Sequence, residues 1–256
     1  MVDRRVVDHP AARVPHAPLT EYYASEAERR GWLQRTFDST AADYDRMERI
    51  TALGSGSWYR RGALLRAGLR RDMQVLDVGV GTGLLAAQAA RIVVQPSQVT
   101  GVDPSPGMLQ NARVPAGVKL IEGSAEHLPF ADASFDFLSM GYALRHVADL
   151  QAALRNFFTV LKPSGRLCIL EITRPRGRLY GAILKLYLGR AIPLLARLTA
   201  RHTDTPRMWR YYWDTIEACV PPEQVLQAIR AAGFVRVRRV VSLGIFSEYL
   251  AEKPLG

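Results

Sequence analysis

One short run constrains this chain more than any other: Val75-Leu76-Asp77-Val78-Gly79-Val80-Gly81-Thr82-Gly83, followed by the Ala/Leu-rich stretch Leu84–Ile92. It reads as an apolar strand, a glycine-rich turn and a helix. Glycines let a backbone approach a ligand with no Cβ in the way. The helix that follows offers free N–H groups at its start. Such a turn suits a nucleoside-bearing cofactor at the carboxyl edge of a parallel sheet. A dinucleotide fingerprint, G-x-G-x-x-G, would need its third glycine at position 84, where this chain has Leu84. The turn by itself is equally what a tight strand-to-helix connection requires.

A second feature narrows the reading. Val99-Thr100-Gly101-Val102-Asp103 is a β-branched strand ending in a carboxylate, about 20 residues past the glycines, where an acidic side chain can accept both ribose hydroxyls. Asp103 would otherwise cap the helix that starts near Pro106. Met108 is placed to pack on an adenine or in the core.

The rest of the chain alternates in the same way. Strands are expected at 74–78, 98–102, 118–121, 135–140 and 166–172, with helices at 84–92, 106–112 and 150–161. Alternation of this kind argues for βαβ units and a parallel sheet. Residues 1–20, with Pro10, Pro15 and Pro18 among charges, read as a flexible tail. Residues 21–256 read as one domain. Its N-terminal part is helical to about residue 71, an insertion at about 174–218 is helical, aromatic and basic, and two strands close the chain.

The chain has 256 residues, 34 Lys+Arg against 24 Asp+Glu, and two cysteines, Cys168 and Cys219, without metal-ligand spacing. That length builds one α/β domain. No disulfide framework or metal site is expected, and a reducing, cytoplasmic setting fits. The basic balance suits nucleic acid, an anionic membrane or an acidic substrate, or reflects arginine-rich composition alone.

The segment Glu122-Gly123-Ser124-Ala125-Glu126-His127-Leu128-Pro129-Phe130, with Ser134-Phe135-Asp136, resembles the methyltransferase pattern G-D-A-E-x-L-P-F…S-F-D. Tyr142-Ala143-Leu144-Arg145-His146-Val147-Ala148-Asp149 is similar to F-G-L-R-N-V-x-D of the ubiquinone/menaquinone C-methyltransferase (UbiE) family. Phe37-Asp38-Ser39-Thr40-Ala41-Ala42-Asp43-Tyr44-Asp45-Arg46-Met47 resembles that family's F-D-x-V-A-x-x-Y-D-x-M-N, and Leu170–Pro175 its L-E-F-S-K-P. The resemblance spans roughly residues 36–250. It implies a Rossmann-like class I fold with a mostly parallel seven-stranded sheet, a helical N-terminal cap and S-adenosyl-L-methionine as cofactor. Asp77, Gly79, Gly81, Gly83, Asp103, Met108, Ser124 and Ala125 would hold that cofactor. Arg145, His146 and Tyr44 would face the acceptor, a lipophilic quinol or phenol methylated on a ring carbon. The chain departs from the pattern at Leu84, Ser124, Ala143 and His146, where the family commonly has Asp, Asp, Gly and Asn.

Methyl transfer needs in-line positioning and exclusion of water. A ring-carbon acceptor also needs its electron density raised by a base. Arg145 is expected to stabilise a phenolate, His146 to accept a proton and Tyr44 to hydrogen-bond the ring oxygen. Two other activities stay open: amino transfer to a quinone ring, as in the family's rhodoquinone-forming relatives, and methylation of a phospholipid amine or specialised metabolite. Residues 174–201 hold seven Arg/Lys, no acid and many leucines. This pattern suits the surface of an anionic bilayer or a helix that covers the site. The expected partners are a quinone-like small molecule, an anionic inner membrane face contacted peripherally and a second copy of the chain. No nucleic-acid module is present.

Overall fold

A computed structural model describes residues 14–52, 54–175, 177–200 and 202–255. The chain opens with helices α1 (Glu26–Thr51) and α2 (Gly56–Arg66). Ser25 caps α1 by accepting from the Glu28 amide. Then come β1 (Val75–Val78), α3 (Leu84–Ala90), β2 (Val99–Asp103), α4 (Pro106–Gln110), β3 (Lys119–Glu122), β4 (Phe135–Gly141), α5 (Leu150–Val160) and β5 (Leu161–Ile172). The insertion forms α6 (Arg178–Leu186), a π turn (Tyr187–Ala191), α7 (Ile192–Thr199) and α8 (Thr205–Ala218). The chain ends with α9 (Pro222–Ala231), β6 (Val235–Ser242) and β7 (Phe246–Glu252).

The seven strands lie in the order β3-β2-β1-β4-β5-β7-β6. β1 to β5 pair in parallel, whereas β7 is antiparallel to both β5 and β6. β1 is buried along its whole length, as a central strand covered on both faces must be. One apolar layer, including Leu138, Leu154, Phe157 and Ile229, joins the sheet to α5 and α9. A second, including Leu64, Leu85 and Phe137, joins it to α2 and α3. The chain reverses direction across the sheet at β1: β2 and β3 lie to one side, β4 and β5 to the other. A ligand crevice forms at such a switch point.

Of the stretch expected to be a flexible tail, residues 1–13 lie outside the described residues, but residues 14–20 pack onto the domain. His16 is buried, and Pro15 O accepts from Val220 N at 2.8 Å. The helix expected over 150–161 ends at Val160, where Lys253 donates to the carbonyls of Phe158 and Leu161 and β5 starts at once. Pro163 then sits inside that strand.

Within the insertion, Leu184, Leu188, Ile192 and Ala196 pack against Trp209 and Trp213 of α8 and Met47 of α1. Arg178–Thr199 is long and apolar enough to cross a membrane by length and composition, with mean hydropathy 1.3. Here one stripe of it is a core face. Leu179, Ile183, Leu186, Leu194 and Leu198 point outward, each more than half exposed.

Candidate active site

The carboxyl ends of β1, β2 and β4 open into a cavity of about 800 Å³, roofed by α1. That is ample for a nucleoside cofactor and a second ligand. Gly79, Gly81 and Gly83 have φ of 68°, 53° and 87°, a region that L residues other than Gly enter at a cost. A Cβ at Gly79 would lie 2.6 Å from Ala143 Cβ, while one at Gly81 would project into open space. The loop is therefore closed against the protein and open toward the cavity.

Asp103 stands at the end of β2 and lines this space. Its carboxylate accepts from Gly81 N at 2.8 Å and Ser105 N at 2.9 Å, which fixes its orientation. Burial pushes its pKa up to about 6, against the pull of those amides. Asp77 Oδ1 accepts from Ser139 Oγ at 2.7 Å, while its Oδ2 is buried with no hydrogen-bond partner. Burial pushes its carboxyl up to about 7. Met108, Ser124 and Ala125 line the β2–β3 side of the same cavity. Seven of the eight residues expected at the cofactor thus border one space; Gly83 does not, and a Cβ there would meet Val114 Cγ1 at 2.4 Å. An open glycine cradle, a pre-oriented carboxylate and an orphaned carboxylate oxygen are what an adenosyl group carrying an ammonium would meet.

The comparisons with known proteins decide the family. The profile of the ubiE/COQ5 methyltransferase family matches residues 24–253. The chain belongs to that family. It is 33% identical over 226 residues to the demethylmenaquinone methyltransferase of Deinococcus radiodurans, covering 86% of this chain and 92% of that one. It is 32% identical to the ubiquinone/menaquinone biosynthesis C-methyltransferase UbiE of Shewanella halifaxensis, covering 84% and 88%. A S-adenosylmethionine-dependent methyltransferase from Thermotoga maritima shares the fold, with TM-score 0.61 at 21% identity over 86% of this chain and 99% of that one. As a ubiE/COQ5 member the chain is an S-adenosylmethionine-dependent methyltransferase, and the residues around Gly81 and Asp103 fit that cofactor.

On the acceptor side of this ubiE/COQ5 site the expectations divide. Tyr44 and His146 line the cavity. Tyr44 stacks on Trp209, with ring centroids 6.0 Å apart, and burial raises its phenol pKa, so it is a neutral hydroxyl. His146 meets the Phe37 edge at 5.3 Å and stacks on Tyr211 at 5.7 Å. Burial, helped by the charges of Arg145 and Arg29, lowers its pKa well below the ordinary histidine value. It is a neutral imidazole, and its Nδ1 has no hydrogen-bond partner.

Arg145, expected beside His146 at the acceptor, does not reach this cavity. Its side chain is fully buried and does not border the cavity. The guanidinium pairs with Glu171, donates to Thr215 Oγ1 at 3.1 Å and lies 3.9 Å over the Tyr212 ring. Its adjacency to His146 in sequence suggests a shared role, but a 3₁₀ turn over Leu144–His146 sends the two side chains to different environments.

Several groups at the site escaped the sequence reading. Arg29 Nη2 donates to the carbonyls of Arg145 (3.0 Å) and Val147 (3.4 Å), on either side of His146. Asp38 and Asp45 tie α1 to the cofactor loops, Asp45 through the Thr82 hydroxyl. Both lie in the quoted Phe37–Met47 segment, where their acidity in a run repeated across the family was the available signal. Arg60 of α2 also lines the cavity, with nothing in the local sequence to set it apart from Arg61.

Proposed function

We propose that this methyltransferase places a methyl group on a ring carbon of a lipophilic quinol. The observation that carries the reading is the cavity wall beyond the cofactor loops. Leu33, Phe37, Tyr44, Tyr142 and Ala143 line it together with the neutral imidazole of His146. A flat, hydroxylated, apolar ring suits such a wall, and the two relatives compared above are named for quinone biosynthesis.

When bound, S-adenosylmethionine supplies an electrophilic methyl group on a sulfonium. The protein's part is orientation and proton handling. The aromatic wall excludes water and holds the ring face-on. Tyr44, protonated at neutral pH, donates to a ring oxygen. As the ring carbon forms its bond to the methyl group, that carbon loses a proton. The neutral imidazole of His146 is the base that receives it, directly or through a water. Arg145, paired with Glu171 behind the wall, acts as a positioning residue: with Arg29 it fixes the turn that aims His146.

The exposed face of α6 and α7, flanked by Lys185, Arg190 and Arg197, belongs to the same reading. A lipid-tailed acceptor resides in a bilayer, and a basic helix with an outward apolar stripe suits an anionic one. Mass spectrometry of quinones from a strain lacking the gene tests the acceptor. Accumulation of a quinone one methyl group short supports the proposal, and an unchanged quinone profile opposes it.

A further inference from the structure

The glycine loop and Asp103 account for the adenosine half of S-adenosylmethionine. Its other half carries an ammonium and a carboxylate, and the sheet order dictates where these lie. β3, β2, β1 and β4 are successive neighbours. A ligand with its base near Met108 and Ser124 and its ribose at Asp103 therefore extends its methionyl end over β1 and β4. A carboxylate in a largely apolar cavity is costly unless a cation meets it.

Three arginines line the cavity: Arg29, Arg30 and Arg60. Arg29 is engaged with backbone carbonyls, and Arg30 is exposed. Arg60 is on the required side. Its guanidinium carbon lies 5.4 Å from the ring centroid of Tyr142, the residue after β4, and its charge acts on Asp77 in β1. The side chain is 7% exposed. Its only hydrogen bond among the described residues runs from Nη1 to Glu48 Oε1, at 2.8 Å, so Nε and Nη2 make none.

The surrounding backbone accommodates this arrangement. A Cβ at Gly56 would collide with Glu48 Oε1 and come 2.6 Å from Arg60 Nη1. Tyr142 holds φ 60° to present its ring, an uncommon conformation for a bulky residue. A permanent, planar cation is thus fixed by one carboxylate, with donors left over for a second.

We propose that Arg60 receives the carboxylate of the cofactor's methionyl group, oriented by Glu48, while Asp77 faces the ammonium. The inference rests on the cofactor and is independent of the acceptor.

Titration calorimetry with two ligands tests it. S-adenosylhomocysteine carries the amino-acid group; 5′-methylthioadenosine has the same nucleoside and thioether without it. Arg60→Met is expected to weaken the first by ~10–100-fold, the scale of a charge-assisted contact, and to leave the second within about twofold. Arg60→Lys should recover part of the loss. Glu48→Gln, which loosens the guanidinium without removing it, should show a smaller loss confined to S-adenosylhomocysteine, and it carries the test if Arg60→Met does not fold. Equal weakening of both ligands overturns the proposal, because Arg60 then only shapes the cavity. So does unchanged S-adenosylhomocysteine binding together with lost binding of an anionic hydroxynaphthoquinone, which would assign Arg60 to the acceptor.

Discussion

Asp38 of α1 accepts hydrogen bonds from Ser105 Oγ at 2.5 Å and from Gly107 N at 2.8 Å, so the helix that roofs the cavity is latched to the loop that follows Asp103. Seven residues along the same helix, Asp45 accepts from the Thr82 hydroxyl in the glycine loop. Residues three and four apart share a helix face, so residues seven apart do too. The roof is therefore fastened to both cofactor loops from one side. Any ligand deep in the cavity must enter while these latches are open or pass beside them.

Asp38→Ala should lower the stability of the free protein by about 1–3 kcal/mol, since it strands a buried hydroxyl and an amide. It should also raise the dissociation rate of S-adenosylhomocysteine. Thermal unfolding and stopped-flow displacement measure the two effects. Unchanged values for both would mean the roof is held by apolar packing alone.

The cofactor carboxylates predict a pH dependence whose sign is opposite to that of a salt-bridged acid. In the folded protein Asp103 titrates near 6 and Asp77 near 7, both raised by burial from the ordinary 3.8. The folded state thus binds more protons than the unfolded chain between about pH 4 and 7. Its stability falls as pH rises through that window, and the cost is absent below 3.8 and complete above 7. Asp77→Asn should therefore stabilise the free protein at pH 8, by an amount on the order of a few kcal/mol, while weakening cofactor binding. Wild-type affinity for S-adenosylhomocysteine should fall as pH drops below 6, where Asp103 must lose a proton to accept ribose hydroxyls. Melting curves from pH 4 to 8 with a rising trend, or affinity constant across pH 5 to 8, would contradict this.

How much of this was legible in sequence follows from how local each signal is. The turn at Gly79–Gly83 and the carboxylate of Asp103 were readable because strand, turn and helix are contiguous and the acid ends the next strand. Arg29 and Arg60 were not. Each sits beside a second arginine, Arg30 and Arg61, and only the packing of α1 and α2 decides which of the pair turns inward. Arg145 and His146 mislead for the same reason. Adjacent in the chain, they diverge because Glu171, at the end of β5, draws one guanidinium into the core. The family resemblance singled out this segment as a whole, but only the packing separates His146, which lines the cavity, from Arg145, which does not.

Removing Arg145 and removing His146 should therefore fail differently. Arg145→Ala leaves Glu171 buried without its ion partner and should cost about 3–5 kcal/mol of stability. Joint replacement by Met and Leu should recover most of it. His146→Ala should unfold near the wild-type temperature and bind S-adenosylhomocysteine normally, yet lose at least ~10²-fold in turnover. The acid limb of the wild-type pH–rate profile should lie well below the ordinary histidine range, because burial keeps the imidazole neutral. Normal stability of Arg145→Ala, or full turnover by His146→Ala, would reverse these assignments.

The outward stripe of Leu179, Ile183, Leu186, Leu194 and Leu198 should bind phosphatidylglycerol vesicles, less so as salt rises. Flotation assays of wild type and of Ile183→Asp/Leu186→Asp measure this. Equal recovery with neutral and anionic vesicles, or an unaffected double variant, would leave the helix as a cover only.

The central claim is ring-carbon methylation of a quinol. The direct test incubates the purified protein with demethylmenaquinol and S-adenosylmethionine labelled as trideuteriomethyl, followed by mass spectrometry and NMR of the quinone. The account predicts one intact trideuteriomethyl group on the ring carbon and stoichiometric S-adenosylhomocysteine. Label on oxygen, or a quinone recovered without label while the cofactor is bound, would contradict it.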